Sequence, residues 1–139
     1  MTLIHGTGIF YEGRGILFTG PSGSGKSDLA LRVMARGAEL VGDDYLELSL
    51  DENERLIMSP VANIAGRIEV RNVGIMPVPH RAVAPVDLVL DLKDRAQLER
   101  LPDPKFSVLE GANIPCLDFF AFDLSAPEKL RAALNILCQ

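Results

Sequence analysis

Tryptophan is absent from this chain of 139 residues, aromatic side chains make up only 6%, and there are just two cysteines and two histidines. Cys116 and Cys138 stand far apart with no CxxC or Cys/His spacing. That pattern gives neither a zinc site nor a disulfide framework, and both residues read as buried or free thiols. No apolar run reaches the roughly 18 residues that a membrane span needs. The start, MTLIHGTGIF, lacks the basic segment and apolar stretch of a signal peptide, so a cytoplasmic protein is expected. Clustered positive charge is missing too. The formal net charge is −5 with no Lys/Arg run, which argues against a nucleic-acid partner. With 47% hydrophobic and 24% charged residues the composition is that of an ordinary globular protein, and residues 1–139 read as a single domain.

Against that plain background one phrase stands out. GPSGSGKSD, residues 20–28, has the spacing G-x-x-x-x-G-K-[ST]. Gly20, Gly23 and Gly25 allow a backbone in which several N–H groups converge on one anion. Pro21, Ser22 and Ser24 complete the loop. Lys26 is placed to reach the β and γ phosphates of a nucleotide, and the Ser27 hydroxyl to ligate Mg²⁺. The loop alone serves an ATPase, a switch GTPase, a small-molecule kinase or a protein kinase equally well.

Its surroundings are those a phosphate loop needs. GILFT reads as a strand entering the loop, paired through a Glu12-Gly13-Arg14-Gly15 turn with the strand before it. SDLALRVMARG reads as the helix leaving it, with Gly37 as its C-terminal cap. AELVGDD is a short strand ending on two acids, and YLELSL with RLIMSPV forms a hairpin around Asp51-Glu52-Asn53-Glu54. Residues 66–79 are β-rich, and VDLVLDL is a buried strand. KDRAQLERL predicts a short helix. SAPEKLRAALNILC predicts a C-terminal helix with Ser125 as N-cap and Pro127 in its first turn. The expected class is α/β, a P-loop kinase-like domain with a mixed, β-rich sheet and flanking helices.

The chemistry then depends on a second acidic element, with two candidates. Asp43-Asp44 ends the strand after the loop helix, and Asp91 ends VDLVLD in the manner of a Walker B strand. Successive strand residues face opposite ways, so one acid of the pair would face the metal and the other an incoming hydroxyl. Two adjacent acids also raise the pKa of one of them, which suits a general base. Asp91 reads equally well as a strand end or a helix cap.

With these residues in view, GILFTGPSGSGKSDLALRVMARGAELVGDD resembles the catalytic domain of the HPr kinase/phosphorylase family. A His-Gly pair upstream (His5-Gly6) and a signature of the form E-[IV]-R-G-x-G-[IV] (Glu69 to Ile75) match as well, over residues 5 to about 101. The resemblance implies ATP and Mg²⁺ as ligands and transfer of phosphate to a serine of the phosphocarrier protein HPr. It implies Asp44, with Asp43 beside it, as the base toward that serine, Glu69 as a further Mg²⁺ ligand and His5 near the acid pair. Arg71 would fix Glu69 or the acceptor. Arg100, in LERL, matches an arginine that follows the later strand in the family. A homo-hexamer is implied too.

The departures are specific. Family members usually carry a separate N-terminal domain, whereas this chain begins almost at His5, as expected of a short form. Asn72 replaces the signature glycine, and IPCLDFFAFDLSAP replaces a Pro-x-Arg-Pro-Gly-Arg stretch associated with removing the phosphate. The expectation is therefore for the kinase direction, and this segment offers nothing for the phosphorylase direction. Two readings compete with it: a P-loop kinase of a small metabolite, whose lid would carry several arginines, and an ATP-sensing regulator without transfer activity. IPCLDFFAF reads as core or as interface.

Overall fold

Ile16, Leu17 and Phe18 form an apolar run without alternation because both faces of their strand are buried. In the computed structural model, which describes residues 1–61 and 65–138, Ile16 and Phe18 belong to a core beneath the helices. Leu17 belongs to a second core on the opposite side. The same division splits Leu88, Leu90 and Leu92 from Val89. A continuous hydrophobic strand of this kind marks the middle of a covered parallel sheet.

That sheet has six strands: β2 (Thr7–Tyr11), β3 (Arg14–Thr19), β4 (Glu39–Gly42), β10 (Leu88–Leu92), β11 (Lys105–Leu109) and β12 (Ala112–Phe119). Their spatial order is β11-β12-β10-β3-β2-β4, with β3, β10 and β12 parallel and β2 and β11 antiparallel to their neighbours. One face carries α1 (Lys26–Met34) and α2 (Ala126–Leu137), which bury Leu29, Ala30, Val33, Leu130, Ala133 and Leu134. The other face meets a four-stranded sheet of β1 (Thr2–His5), β5 (Tyr45–Leu50), β6 (Leu56–Pro60) and β9 (Ala84–Pro85), ordered β1-β5-β6-β9. Leu46, Leu48, Leu56 and Met58 fill the space between the two sheets. A separate hairpin, β7 (Arg67–Val70) and β8 (Gly74–Pro77), packs Ile68 into the core beneath the helices.

The mixed, β-rich α/β class agrees with the sequence expectation, as do α1, the β5–β6 hairpin, the buried strand β10 and the C-terminal helix. The turn between β2 and β3 is tighter than expected. Only Glu12 and Gly13 form it, with φ of 52° and 76°, the paired positive values of a two-residue hairpin.

The helix expected over KDRAQLERL is not formed. The segment makes a single 3₁₀ turn, Arg95–Gln97, and the chain is extended again by Leu98. Asp94 and Gln97 complete a capping box, but none of the turn's residues is buried. A short helix with no apolar face to pack gains too little to persist. Ser125 occupies the N-cap of α2 without a side-chain hydrogen bond there, and Pro127 lies in the first turn as expected. Among the described residues no helix is long and apolar enough to cross a membrane.

At Gly15 the two sheets are in direct contact. A β-carbon there would lie 1.6 Å from the carbonyl oxygen of Pro85, and the Gly15 N–H donates to Asp87 Oδ2 at 2.9 Å. Gly15→Ala is expected to destabilise the fold by about 3 kcal/mol or more through overpacking. Gly13→Ala, with open space around it, should cost about 1–2 kcal/mol for its left-handed backbone. Urea denaturation of both variants checks the difference; equal losses would contradict this account of the sheet contact.

Candidate active site

Strand β3 ends at Thr19 and the chain turns through residues 20–25 into α1. Gly25 is the N-cap residue, at φ 99°, and no side chain caps the helix. The first N–H groups of α1 are therefore left to an outside acceptor, with the positive end of the helix dipole behind them. Lys26 folds over the loop, its Nζ donating to the carbonyls of Gly20 (2.7 Å) and Pro21 (3.0 Å). Burial lowers its pKa, opposed by the nearby carboxylates of Asp44 and Asp43. A phosphate entering the loop competes with those two carbonyls for the ammonium.

One turn of α1 carries the next contact. Ser27 Oγ donates to Asp43 Oδ1 at 2.6 Å, and Thr7 Oγ1 donates to the same oxygen at 3.0 Å. Asp43 and Thr7 are buried. The chain leaves β4 at Gly42, and Asp44 takes a left-handed conformation, φ 65°. Because the strand has already ended, the two acids do not point to opposite faces as strand alternation would have them. Both line one cavity of about 460 Å³, together with Lys26, Ser27, His5 and Glu69.

His5, at the end of β1, stacks obliquely on Tyr45 with ring centroids 5.3 Å apart. Glu69 is exposed on β7, and Arg71 and Asn72 sit in the turn after it, Asn72 at φ 68°. The glycine expected there is thus replaced by a residue that tolerates the left-handed region. Among the described residues, the side chains of Asp44, Glu69 and Arg71 form no hydrogen bond or ion pair with the protein. All three line the cavity, with Asp44 close enough to Lys26 to act on its charge.

Most of the residues singled out in the sequence therefore meet. Ser22, Gly23 and Gly25 line the cavity, while Gly20, Pro21 and Ser24 do not. Arg100 is not brought in: it lies in the exposed segment after the 3₁₀ turn and does not line the cavity. Of the two acidic candidates, Asp43 contacts Ser27 and lines the cavity, whereas Asp91 does not line it. Asp91 accepts from Thr19 Oγ1 at 3.2 Å and pairs with Lys93 at 3.8 Å, away from Ser27.

Thr7, Leu31, Asp28 and Phe122 were not legible as site residues. Thr7 sits in an apolar strand, and only its partner, far along the chain, shows what its hydroxyl does.

Ser27, Asp43 and Glu69 offer oxygen donors only. Among the described residues no group of three or more His, Cys, Asp or Glu could hold a metal ion by itself. A hydroxyl and one or two carboxylates that leave the other positions to phosphate oxygens and water suit Mg²⁺, which is seldom held in an all-protein cage.

The comparisons with known proteins agree with this geometry. The model of the HPr Serine kinase C-terminal domain matches residues 1–104. An HPr kinase/phosphorylase of Clostridium tetani is 40% identical over 92 residues, which cover 66% of this chain and 29% of that protein. One of Geobacillus thermodenitrificans is 35% identical over 102 residues, 66% of this chain and 32% of the relative. The chain thus spans less than a third of the length of these curated relatives. The solved structure of the Hpr(Ser) kinase/phosphatase from Coxiella burnetii superposes with a TM-score of 0.87 at 26% identity, covering 98% of this chain and 90% of that one. A phosphate loop whose Ser27 is held by Asp43, a free Asp44 beside it, and a family match across all of these residues lead to one assignment: the chain belongs to the HPr serine kinase C-terminal domain family.

Proposed function

We propose that this chain is an ATP-dependent protein kinase domain that phosphorylates a serine of HPr, with Mg²⁺ as cofactor. The observation that carries this reading is the division of labour in the acid pair. Asp43 is committed to Ser27 and Thr7, while Asp44, one residue on, faces the cavity without a partner. Two adjacent carboxylates in such different environments suit two roles, one at the metal and one at the proton.

In this reading Lys26 exchanges its loop carbonyls for the β and γ phosphates, and the loop N–H groups with the α1 N-terminus hold the anion. Ser27 and Asp43 hold Mg²⁺, with Glu69 as a further ligand. The ion, when bound, neutralises charge on the phosphates. Asp44 accepts the proton of the serine hydroxyl as its oxygen bonds to the γ phosphorus. The bond from that phosphorus to the bridging oxygen breaks, and ADP leaves with the electron pair. His5 and Arg71 stand where the acceptor enters. Positioning and charge neutralisation do most of the work, as phosphoryl transfer generally requires.

Relatives carry both kinase and phosphorylase in their names, and the arginine-free segment IPCLDFFAFDLSAP supports the kinase direction here. Arg100 has no part in the reaction on this account unless another copy of the chain supplies it. A cytoplasmic homo-hexamer belongs to the same reading, and light scattering tests the assembly.

Transfer of label from [γ-³²P]ATP to HPr tests the whole. Labelled HPr serine is expected, lost on Ser→Ala at the acceptor. Asp44→Asn should lower kcat by roughly 10²–10⁴-fold, the usual contribution of a general base. ATP affinity should barely change. ATP binding without any labelling of HPr would overturn the proposal in favour of a metabolite kinase or a nucleotide-sensing regulator.

A second prediction concerns the support of Asp43. Thr7→Val keeps the shape and removes one hydrogen bond to the carboxylate. Stability should fall by about 1.5–3 kcal/mol, the range for hydrogen bonds to charged groups. The Mg²⁺ concentration for half-maximal activity should rise about tenfold or more, as when a ligand's supporting contact is lost. An unchanged Mg²⁺ requirement would contradict the supporting role given to Thr7.

A further inference from the structure

The segment IPCLDFFAF lies beyond the residues matched by the family model, yet its end reaches the phosphate loop. A β-carbon built on Gly25 would lie 2.9 Å from Phe122 Cζ and 3.1 Å from Cε1, so the Phe122 ring covers the last glycine of the loop. Phe122 nevertheless remains 54% exposed and lines the same cavity as Lys26 and Ser27. Phe119 and Ala121, by contrast, are buried.

This exposed ring is held in place. The backbone on both sides of it is clamped by Arg32 of α1, which donates to the carbonyls of Ala121 (2.7 Å), Asp123 (2.7 Å) and Leu124 (3.2 Å). Phe120 meets Phe122 edge-on, with centroids 5.8 Å apart. Arg95 lies over the Phe120 ring and pairs with Asp123, which Lys129 also holds at 2.9 Å. A pre-positioned aromatic face loses little freedom when it takes a ligand.

The sheet order says which part of a ligand it meets. In β11-β12-β10-β3-β2-β4, Asp43 and Asp44 follow β4 and Phe122 follows β12, on opposite flanks of the loop after β3. All three strands run the same way, so both features stand at the same edge of the sheet. With phosphates across the loop and the acceptor hydroxyl at the carboxylate flank, the rest of the nucleotide leaves toward β12.

We infer that Phe122 is the stacking platform for the nucleotide base, a positioning residue that distinguishes a nucleoside triphosphate from inorganic polyphosphate. The inference rests on the nucleotide reading given above. Every base presents a π face, so stacking gives affinity without strict choice among bases, and GTP should bind nearly as well as ATP.

Isothermal titration with Mg·ATP and with Mg·tripolyphosphate tests it on the wild type and on Phe122→Leu and Phe122→Trp. Phe122→Leu should weaken ATP about tenfold, the scale of one base–aromatic stack, and leave tripolyphosphate unchanged. Phe122→Trp should retain ATP affinity. Because the chain has no other tryptophan, ATP should quench the emission of this variant and tripolyphosphate should not. Equal effects of Phe122→Leu on both ligands, or none on either, would overturn the platform while leaving the nucleotide site intact. A wild-type protein that binds neither ligand would instead remove the nucleotide reading, and the platform with it.

Discussion

A single carboxylate oxygen, Oδ1 of Asp43, takes hydrogens from Ser27 on α1 and Thr7 on β2 while its own chain leaves β4. Three elements distant in sequence are thereby tied at one point beneath the phosphate loop. Hydrogen bonds to a buried charged group are among the stronger ones a protein makes, and a buried carboxylate without them would be costly. The tie also consumes Asp43. With Asp43 held in this way, the backbone reversal at Asp44 presents a second carboxylate to the same cavity.

The layers above and below keep this tie rigid. Helices cover one face of the six-stranded sheet and a second sheet covers the other, so β3 is buried on both sides and the loop that follows it has a fixed base. Gly15 lets the second sheet come within contact of β3, and that sheet carries β1 with His5 at its end. The acidic flank is thus built partly from elements outside the glycine-rich loop and the strand and helix that flank it. On the opposite flank, Arg32 ties α1 to the 121–124 segment, so one helix braces both sides of the cavity.

Where the sequence misled, tertiary structure had intervened. Strand alternation placed Asp43 and Asp44 on opposite faces, which fails because the strand stops one residue earlier. The segment after β10 has the composition of a helix but no apolar stripe to bury, and a capping box alone sustains one 3₁₀ turn. Arg100, set beside a family arginine by resemblance, lies in an exposed segment and does not line the cavity of its own chain. Asp91, which the sequence left open between a Walker B acid and a strand end or helix cap, contacts Thr19 and Lys93.

Local order in this protein was decided by residues close together in the chain. The phosphate loop, its flanking strand and helix, the Glu12-Gly13 turn and the buried character of β10 all follow from short-range spacing, because backbone sterics and hydrophobic periodicity act over a few residues. Only the tertiary structure set Asp43 against Ser27 and Thr7, Asp91 against Thr19 and Lys93, and Phe122 against Gly25. Those choices depend on which strands lie side by side, and strand order is a property of long-range packing that no local pattern encodes.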